Sequence, residues 1–265
     1  MPEGDTVFKL ADYLRRELTS RELVTGSVRS SQPVDLAGRR IVGVSAHGKH
    51  LFIEFDNGLQ LRSHLGMWGS WHGYAPRESW QKPRRQAAIV LDIGERVFVC
   101  FNPLQVEVLR RTGVRRRRLD VALGPDLLAP EPDLDTILIR VRTLTVEDAP
   151  IVDVLLDQRI ASGIGNVYKS EVLFLGGLDP RRTVGSLGDG KIVVLYRCAS
   201  DLLGRNLSGG PRVTRRAGDA AGPLWVYGRT GQPCLKCDDL IRSSRLGRGQ
   251  RSTFWCPTCQ LRTPA

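Results

Sequence analysis

The chain has 265 residues, of which 41% are apolar and 25% charged, and a net charge of +11. That length carries a well-buried core in one compact unit or two modest domains, and the composition excludes fibrous and disordered classes. The excess of positive charge attracts polyanions, which puts nucleic acid or an acidic membrane surface first among partners.

The N-terminal stretch MPEGDTVFKL lacks the charged-then-apolar layout of a signal peptide, and no apolar run approaches the roughly 18 residues of a spanning helix. A cytosolic protein with no membrane partner is expected. Behind Pro2-Glu3-Gly4, the apolar residues Val7, Leu10, Ala11, Leu14 and Leu18 recur at helical spacing, which predicts an amphipathic helix capped by Asp5 or Thr6. A β region follows. Leu51 to Phe55 and Leu59 to Arg62 flank Asp56-Asn57-Gly58, a strong hairpin signal, and Ala87 to Leu91 and Val97 to Phe101 repeat the pattern around Gly94. Closely spaced strands without alternating helices predict a β-sandwich or barrel. The arginine run 115–118, then Gly124-Pro125 and Pro130-Glu131-Pro132, reads as a linker. Ile151 to Ile160 and Val167 to Leu175 read as two helices around the turn Ala161 to Asn166. From Gly204 the chain becomes polar and glycine-rich, and residues 205–265 hold eleven Lys and Arg against three Asp.

Cys234-x2-Cys237 and Cys256-x2-Cys259, with eighteen residues between the pairs, predict a four-cysteine zinc site. Four protein ligands leave no open position, so the single ion is expected to be structural. It would fold a β-hairpin lined by Arg242, Arg245, Arg248 and Arg251 as phosphate contacts. Cys100 and Cys198 read as buried filler, and His47, His50, His64 and His72 lack ligand-like partners. Pro2 offers different chemistry. Once Met1 is removed, its secondary amine has a pKa of about 7.7 to 8.0, is partly neutral at physiological pH, and can attack an aldehyde-level carbon to form an iminium. Glu3 beside it offers a carboxyl that can move protons at the same centre.

Six motifs occur in a characteristic order: Met-Pro-Glu-Gly at the start; Gly48-Lys49-His50-Leu51; Ser63-His64-Leu65-Gly66-Met67; Leu123 to Leu128; Gly163-Ile164-Gly165-Asn166-Val167-Tyr168; and Gln250 to Cys256-Pro257-x-Cys259-Gln260. Spanning nearly the whole chain, they resemble the formamidopyrimidine-DNA glycosylase and endonuclease VIII family, nearer to the endonuclease VIII branch. The resemblance implies an α+β fold: an N-terminal β-sandwich with a leading helix, and a helical helix-two-turn-helix domain bearing a four-cysteine zinc-finger β-hairpin. The expected bounds are 1–118 for the catalytic domain, 119–130 for the linker, 131–225 for the helical domain and 226–265 for the zinc hairpin.

It also implies roles, with damaged DNA as the partner and zinc as the sole cofactor. Pro2 is the Schiff-base nucleophile on C1′ of the damaged nucleotide, Glu3 the proton donor and acceptor, and Lys49 a second essential group. Asn166 and Arg251 clamp the flanking phosphates, and Arg251 assists the second elimination. Lys169, one turn beyond Asn166, is placed to reach the same backbone. Met67 and Trp68, on a Gly-flanked loop, suit a wedge that fills the hole left by a flipped base. Oxidised pyrimidines, which stack poorly, are the expected lesions.

Two departures stand out. Asp5-Thr6 occupies a position where relatives often carry Pro-Glu, and there is no clear match to the Arg-x-Phe wedge of formamidopyrimidine glycosylases. Residues 205–222 read as a flexible loop over the lesion. A monomer acting at the nucleoid is expected. The rival reading, a non-catalytic zinc-containing binder of DNA or RNA structure, explains the charge and the cysteines but not Pro2-Glu3 together with Lys49.

Overall fold

A computed structural model describes residues 2–29, 34–216 and 218–260. Met1, and so its removal, lies outside the described residues, as do residues 30–33, Ala217 within the expected flexible loop, and residues 261–265. The chain divides into two compact units, Met1–Ala122 and Leu123–Ala265.

In the first unit, helix α1 (Gly4–Leu18) buries Val7, Ala11, Leu14 and Leu18. It begins before the Asp5 or Thr6 cap predicts: Glu3 is the capping residue, extended at φ −121 and ψ −173, with no side-chain cap bond. Asp5 instead lies buried in the first turn, where the helix dipole favours an acid.

Two antiparallel sheets follow. The first has the order β2-β1-β7-β8-β6, with β1 Thr25–Val28, β2 Val34–Asp35, β6 Ser70–Tyr74, β7 Ala87–Asp92 and β8 Val97–Phe101. The second has the order β3-β4-β5-β9, with β3 Ile41–His47, β4 His50–Phe55, β5 Leu59–His64 and β9 Gln105–Arg110. Leu51, Ile53, Phe55 and Leu61 of one sheet share a core with Val28, Ile89, Leu91 and Phe98 of the other and with the apolar face of α1. That shared core makes the sheets a sandwich, because each strand turns alternate side chains inward.

Helix α2 (Val114–Ala122) contains the arginine run. The run expected to mark a linker is therefore helical, with Arg115 paired to Glu107 and Arg116 to Asp120, and its helix ends where the first unit ends. Four charges on successive residues obscure any periodicity, and helix formation tolerates arginine well.

The second unit packs α3 (Leu134–Leu144), α4 (Ile151–Leu156), α5 (Asn166–Leu175) and α6 (Asp189–Gly204) around one apolar core. Helix α4 stops at Leu156, short of the predicted Ile160. Gln158 accounts for this: its side chain donates to the Leu156 and Ile164 carbonyls and accepts from Gly163 N–H, supplying a turn in place of another helical one. Gly124 lies so close to this turn that a Cβ would overlap the Ile160 carbonyl. Strands β10 (Arg242–Leu246) and β11 (Arg251–Trp255) complete the unit as an antiparallel hairpin.

Candidate active site and nucleic-acid interface

Pro2 is half-buried at the entrance to α1, and the Glu3 side chain next to it is fully buried. Lys49 comes to the surface of the same unit on a hairpin tip. His47 pairs with His50 across β3 and β4, which leaves Gly48 and Lys49 as the two turn residues.

Beside Lys49 lies a polar cluster that sequence reasoning did not assemble. The His50 and His64 rings stand 4.8 Å apart. Arg62, 8% exposed, donates to His50 Nδ1 at 3.2 Å, Gln105 Oε1 at 2.9 Å and Glu107 Oε2 at 2.6 Å. Burial, then the charges of Arg62, His64, His47 and Lys49, hold His50 down to about 2. Burial, then Lys49 and Arg62, lowers His64 to about 4. Both imidazoles are thus neutral at physiological pH, so the rings beside Lys49 and Arg62 offer neutral nitrogens. The Glu107 carboxyl is held low, because bonds from Arg62 and Arg115 outweigh the effect of its burial.

Met67 and Trp68, in the turn between β5 and β6, are 50% and 77% exposed. Leu104, from the β8–β9 connection, is 66% exposed. It packs against the same turn, its Cβ 2.7 Å from where a Cβ on Gly66 would sit, and its N–H donates to the His64 carbonyl at 2.8 Å. Three exposed apolar side chains thus stand on or against this one turn. Leu104 escaped the sequence reading because an isolated leucine after Asn-Pro carries no local signal; only pairing of β5 with β9 brings it here.

In the second unit, Asn166 opens α5, 7% exposed, and its Nδ2 donates to the Ser252 carbonyl of β11 at 2.7 Å. Lys169 is fully buried, and its ammonium donates to Asn166 Oδ1 and Thr253 Oγ1, each at 2.7 Å. Lys169, expected to reach a DNA backbone, thus has its described partners inside the protein. The helical turn that brings it beneath Asn166 aims it inward at the hairpin. Arg242, Arg245, Arg248 and Arg251 are all exposed on the hairpin.

The hairpin tip is docked too. Arg248 N–H donates to Asp153 Oδ2 of α4 at 2.8 Å, and Gly247, at φ +72, lies where any Cβ would overlap the Asp153 carboxylate. Glu171, fully buried on α5, accepts the backbone N–H groups of Trp225, Val226 and Tyr227 at 2.8 to 2.9 Å and the Thr214 hydroxyl. Asn206 brackets Val213 with two further bonds. Within the stretch expected to be a flexible loop, Thr214 is thus tied to Glu171 of α5, a partner distant in sequence that the composition of the stretch does not reveal.

The ligand atoms of Cys234, Cys237, Cys256 and Cys259 all lie within 4.8 Å of one another, the one such group among the described residues. Sγ separations of 3.4 to 3.8 Å match the edge of a tetrahedron with Zn–S bonds of about 2.3 Å, which is about 3.8 Å. The donor set and its geometry fit zinc. Cys100 is buried and Cys198 half-buried, both outside this group.

Residues 1–106 match the Formamidopyrimidine-DNA glycosylase N-terminal domain, 123–216 the Formamidopyrimidine-DNA glycosylase H2TH domain, and 231–262 the zinc finger found in FPG and IleRS. The chain is 39% identical over 267 residues to the "Probable endonuclease 8 2" of Streptomyces coelicolor, covering 98% of this chain and 94% of that protein. It belongs to the formamidopyrimidine-DNA glycosylase and endonuclease 8 family. A second family member, the "DNA-(apurinic or apyrimidinic site) lyase Nei2" of Mycolicibacterium smegmatis, is 38% identical over 264 residues, covering 98% of this chain and 99% of that one. The family fold is equally plain: the Lactococcus lactis Fpg, solved in complex with DNA containing an abasic site, superposes with a TM-score of 0.83 at 22% identity, covering 98% of this chain and all of that one. Among the described residues, no helix is long and apolar enough to cross a membrane.

Proposed function

We propose that this family member is a bifunctional DNA glycosylase and abasic-site lyase of base-excision repair that removes oxidised bases, pyrimidines foremost, through a Schiff base on Pro2. The observation that carries the reading is the pairing at the chain start: a half-buried proline immediately before a fully buried glutamate at the head of α1. A secondary amine there is nucleophilic near neutral pH, and the neighbouring carboxyl is within one residue of the reacting centre.

The neutral amine bonds to C1′ as the glycosidic bond breaks, and the base departs with a proton supplied by Glu3. The attached amine then loses its proton, the C1′–O4′ bond breaks as O4′ takes up a proton, and the opened sugar is left as an iminium that acidifies the 2′ hydrogen. Its removal expels the 3′ phosphate, and loss of a second proton expels the 5′ phosphate, with Arg251 assisting. Lys49, flanked by the neutral His50 and His64, holds a phosphate or the opened sugar. Asn166 and Arg251 grip the backbone from the second unit. The exposed trio Met67, Trp68 and Leu104 fills the space a flipped base vacates, offsetting the few kcal/mol lost from the stack. A zinc ion held by the four cysteines folds the hairpin and takes no part in the chemistry. The enzyme works as a monomer on nucleoid DNA.

The test is a panel of end-labelled duplexes bearing an oxidised pyrimidine, 8-oxoguanine or an abasic site. Faster excision of the pyrimidine with phosphate at both ends of the gap is expected. Preference for 8-oxoguanine overturns the substrate class, a product ending in an unsaturated sugar overturns the double elimination, and an uncut abasic duplex overturns the lyase.

A further inference from the structure

We propose that Lys169 is a positioning residue whose buried ammonium fixes the rotational state of the Asn166 amide, so that Asn166 presents N–H and not C=O to an incoming phosphate. The proposal rests on the reading of Asn166 as a phosphate clamp.

An asparagine amide has two faces of nearly equal shape and opposite hydrogen-bonding character, and only its partners select between them. An ammonium carries three donors and no acceptor. With Lys169 Nζ 2.7 Å from Oδ1 and the Ser252 carbonyl 2.7 Å from Nδ2, both partners choose the same rotamer. Turning the amide over would set NH2 against the ammonium and carbonyl against carbonyl, both repulsive. One N–H of Nδ2 is taken by Ser252, which leaves the other for a ligand. Asn166 keeps 7% of its surface exposed where Lys169 keeps none, so a phosphate meets the amide and not the lysine.

A second branch leaves the same ammonium. Lys169 donates to Thr253 Oγ1 at 2.7 Å, and Thr253 donates in turn to the Arg251 carbonyl at 3.1 Å. Strand alternation puts Arg251 and Thr253 on one face of β11. One buried charge thus sets the direction of the bonds that place both phosphate-facing groups. Burying an ammonium is expensive, and an apolar side chain of similar length would pack the same space at lower cost. Orientation of Asn166 and Arg251 is what that cost supports.

The experiment uses the untagged, zinc-loaded full chain and a duplex carrying a tetrahydrofuran abasic analogue, beside an intact duplex. Affinity and its salt dependence are measured for Lys169→Met, Lys169→Gln, Asn166→Ala and the double variant Lys169→Met/Asn166→Ala. The proposal expects Lys169→Met and Asn166→Ala each to weaken binding about tenfold, the scale of one charge-assisted bond. The double variant should bind no more weakly than Asn166→Ala. Lys169→Gln, whose amide still donates to Oδ1, should recover most of the loss, but only while Asn166 is present. Losses that multiply in the double variant, with the salt slope reduced by about one unit, would mean a direct phosphate contact by Lys169 and overturn the proposal. So would zinc-loaded Lys169→Met with lowered stability and undiminished affinity. If Lys169→Met fails to retain zinc, Lys169→Gln decides: full additivity with Asn166→Ala contradicts the proposal. Equal binding of both duplexes by the wild type would overturn the glycosylase reading, whereas the coupling between Lys169 and Asn166 is read on either duplex.

Discussion

In the N-terminal unit, the groups proposed to meet DNA stand at a chain terminus or on turns above an apolar sandwich: Pro2 before α1, Lys49 on the β3–β4 turn, Met67 and Trp68 on the β5–β6 turn. In the C-terminal unit Arg251 is exposed on β11, but Asn166 is embedded in a network: with Lys169 and Glu171 it is buried along one helix that is bonded to β11 and to the segment before the hairpin. Turn-borne groups owe their place to local geometry, so replacing one should remove its chemistry and leave the fold intact. Network-borne groups hold one another, so replacing one should disturb several. The two units are therefore expected to respond differently to the same kind of change.

The largest effect should come from the turn-borne class. Blocking the Pro2 amine with an N-terminal tag is expected to abolish strand cleavage while duplex affinity stays nearly unchanged, read by gel assay and titration on one preparation. Glu3→Gln should slow base release by about 10² to 10⁴, the range for loss of a general acid. Removal of zinc by a chelator, or Cys237→Ser, should collapse the hairpin together with the Asn166 and Arg251 clamp. DNA affinity would then fall steeply while the sandwich stays folded, because structural metal binding supplies folding free energy locally. Far-ultraviolet circular dichroism alongside binding would separate the two.

A smaller effect sharpens the contrast. Gly247 at φ +72 and Gly58 at φ +76 share a left-handed backbone, which costs a residue with a Cβ about 1–2 kcal/mol. A Cβ at Gly58 meets nothing, whereas at Gly247 it overlaps Asp153. Gly58→Ala should lower stability alone, and Gly247→Ala should also weaken DNA binding several-fold by displacing the hairpin tip.

The smallest effect is on pH dependence. Because His50 and His64 are held at about 2 and about 4 in the folded chain, the unfolded chain binds more protons below its ordinary histidine pKa of about 6.5. Their contribution is complete above that pH and is lost as pH falls toward 4. His50→Gln should flatten the slope of melting temperature between those limits. Comparison with the wild type removes the acid sensitivity of the zinc site, which both share.

The sandwich strands and the zinc cysteines were legible in the sequence because each rests on a short-range rule: period-two alternation, an Asn-Gly turn, a fixed pair spacing. The helical form of α2 was not legible because its arginine run carries no apolar period, and α4 was overextended because Gln158 ends it through its side chain. Leu104, Asp153 and Glu171 carry no local signal. Each acts through a partner dozens of residues away, at Gly66, at the hairpin tip and at Trp225 to Tyr227. Lys169 was noticed for its spacing from Asn166, but its bonds to β11 were not legible, since helical periodicity places it on a face without saying that β11 covers that face.

The measurement that tests the central claim most directly is borohydride trapping of the untagged protein on an abasic duplex, with the adduct located by mass spectrometry of the N-terminal peptide. The account predicts a covalent DNA adduct on the nitrogen of Pro2, lost when that nitrogen is blocked. An adduct on Lys49, or none from a preparation with Met1 shown to be absent, would contradict it.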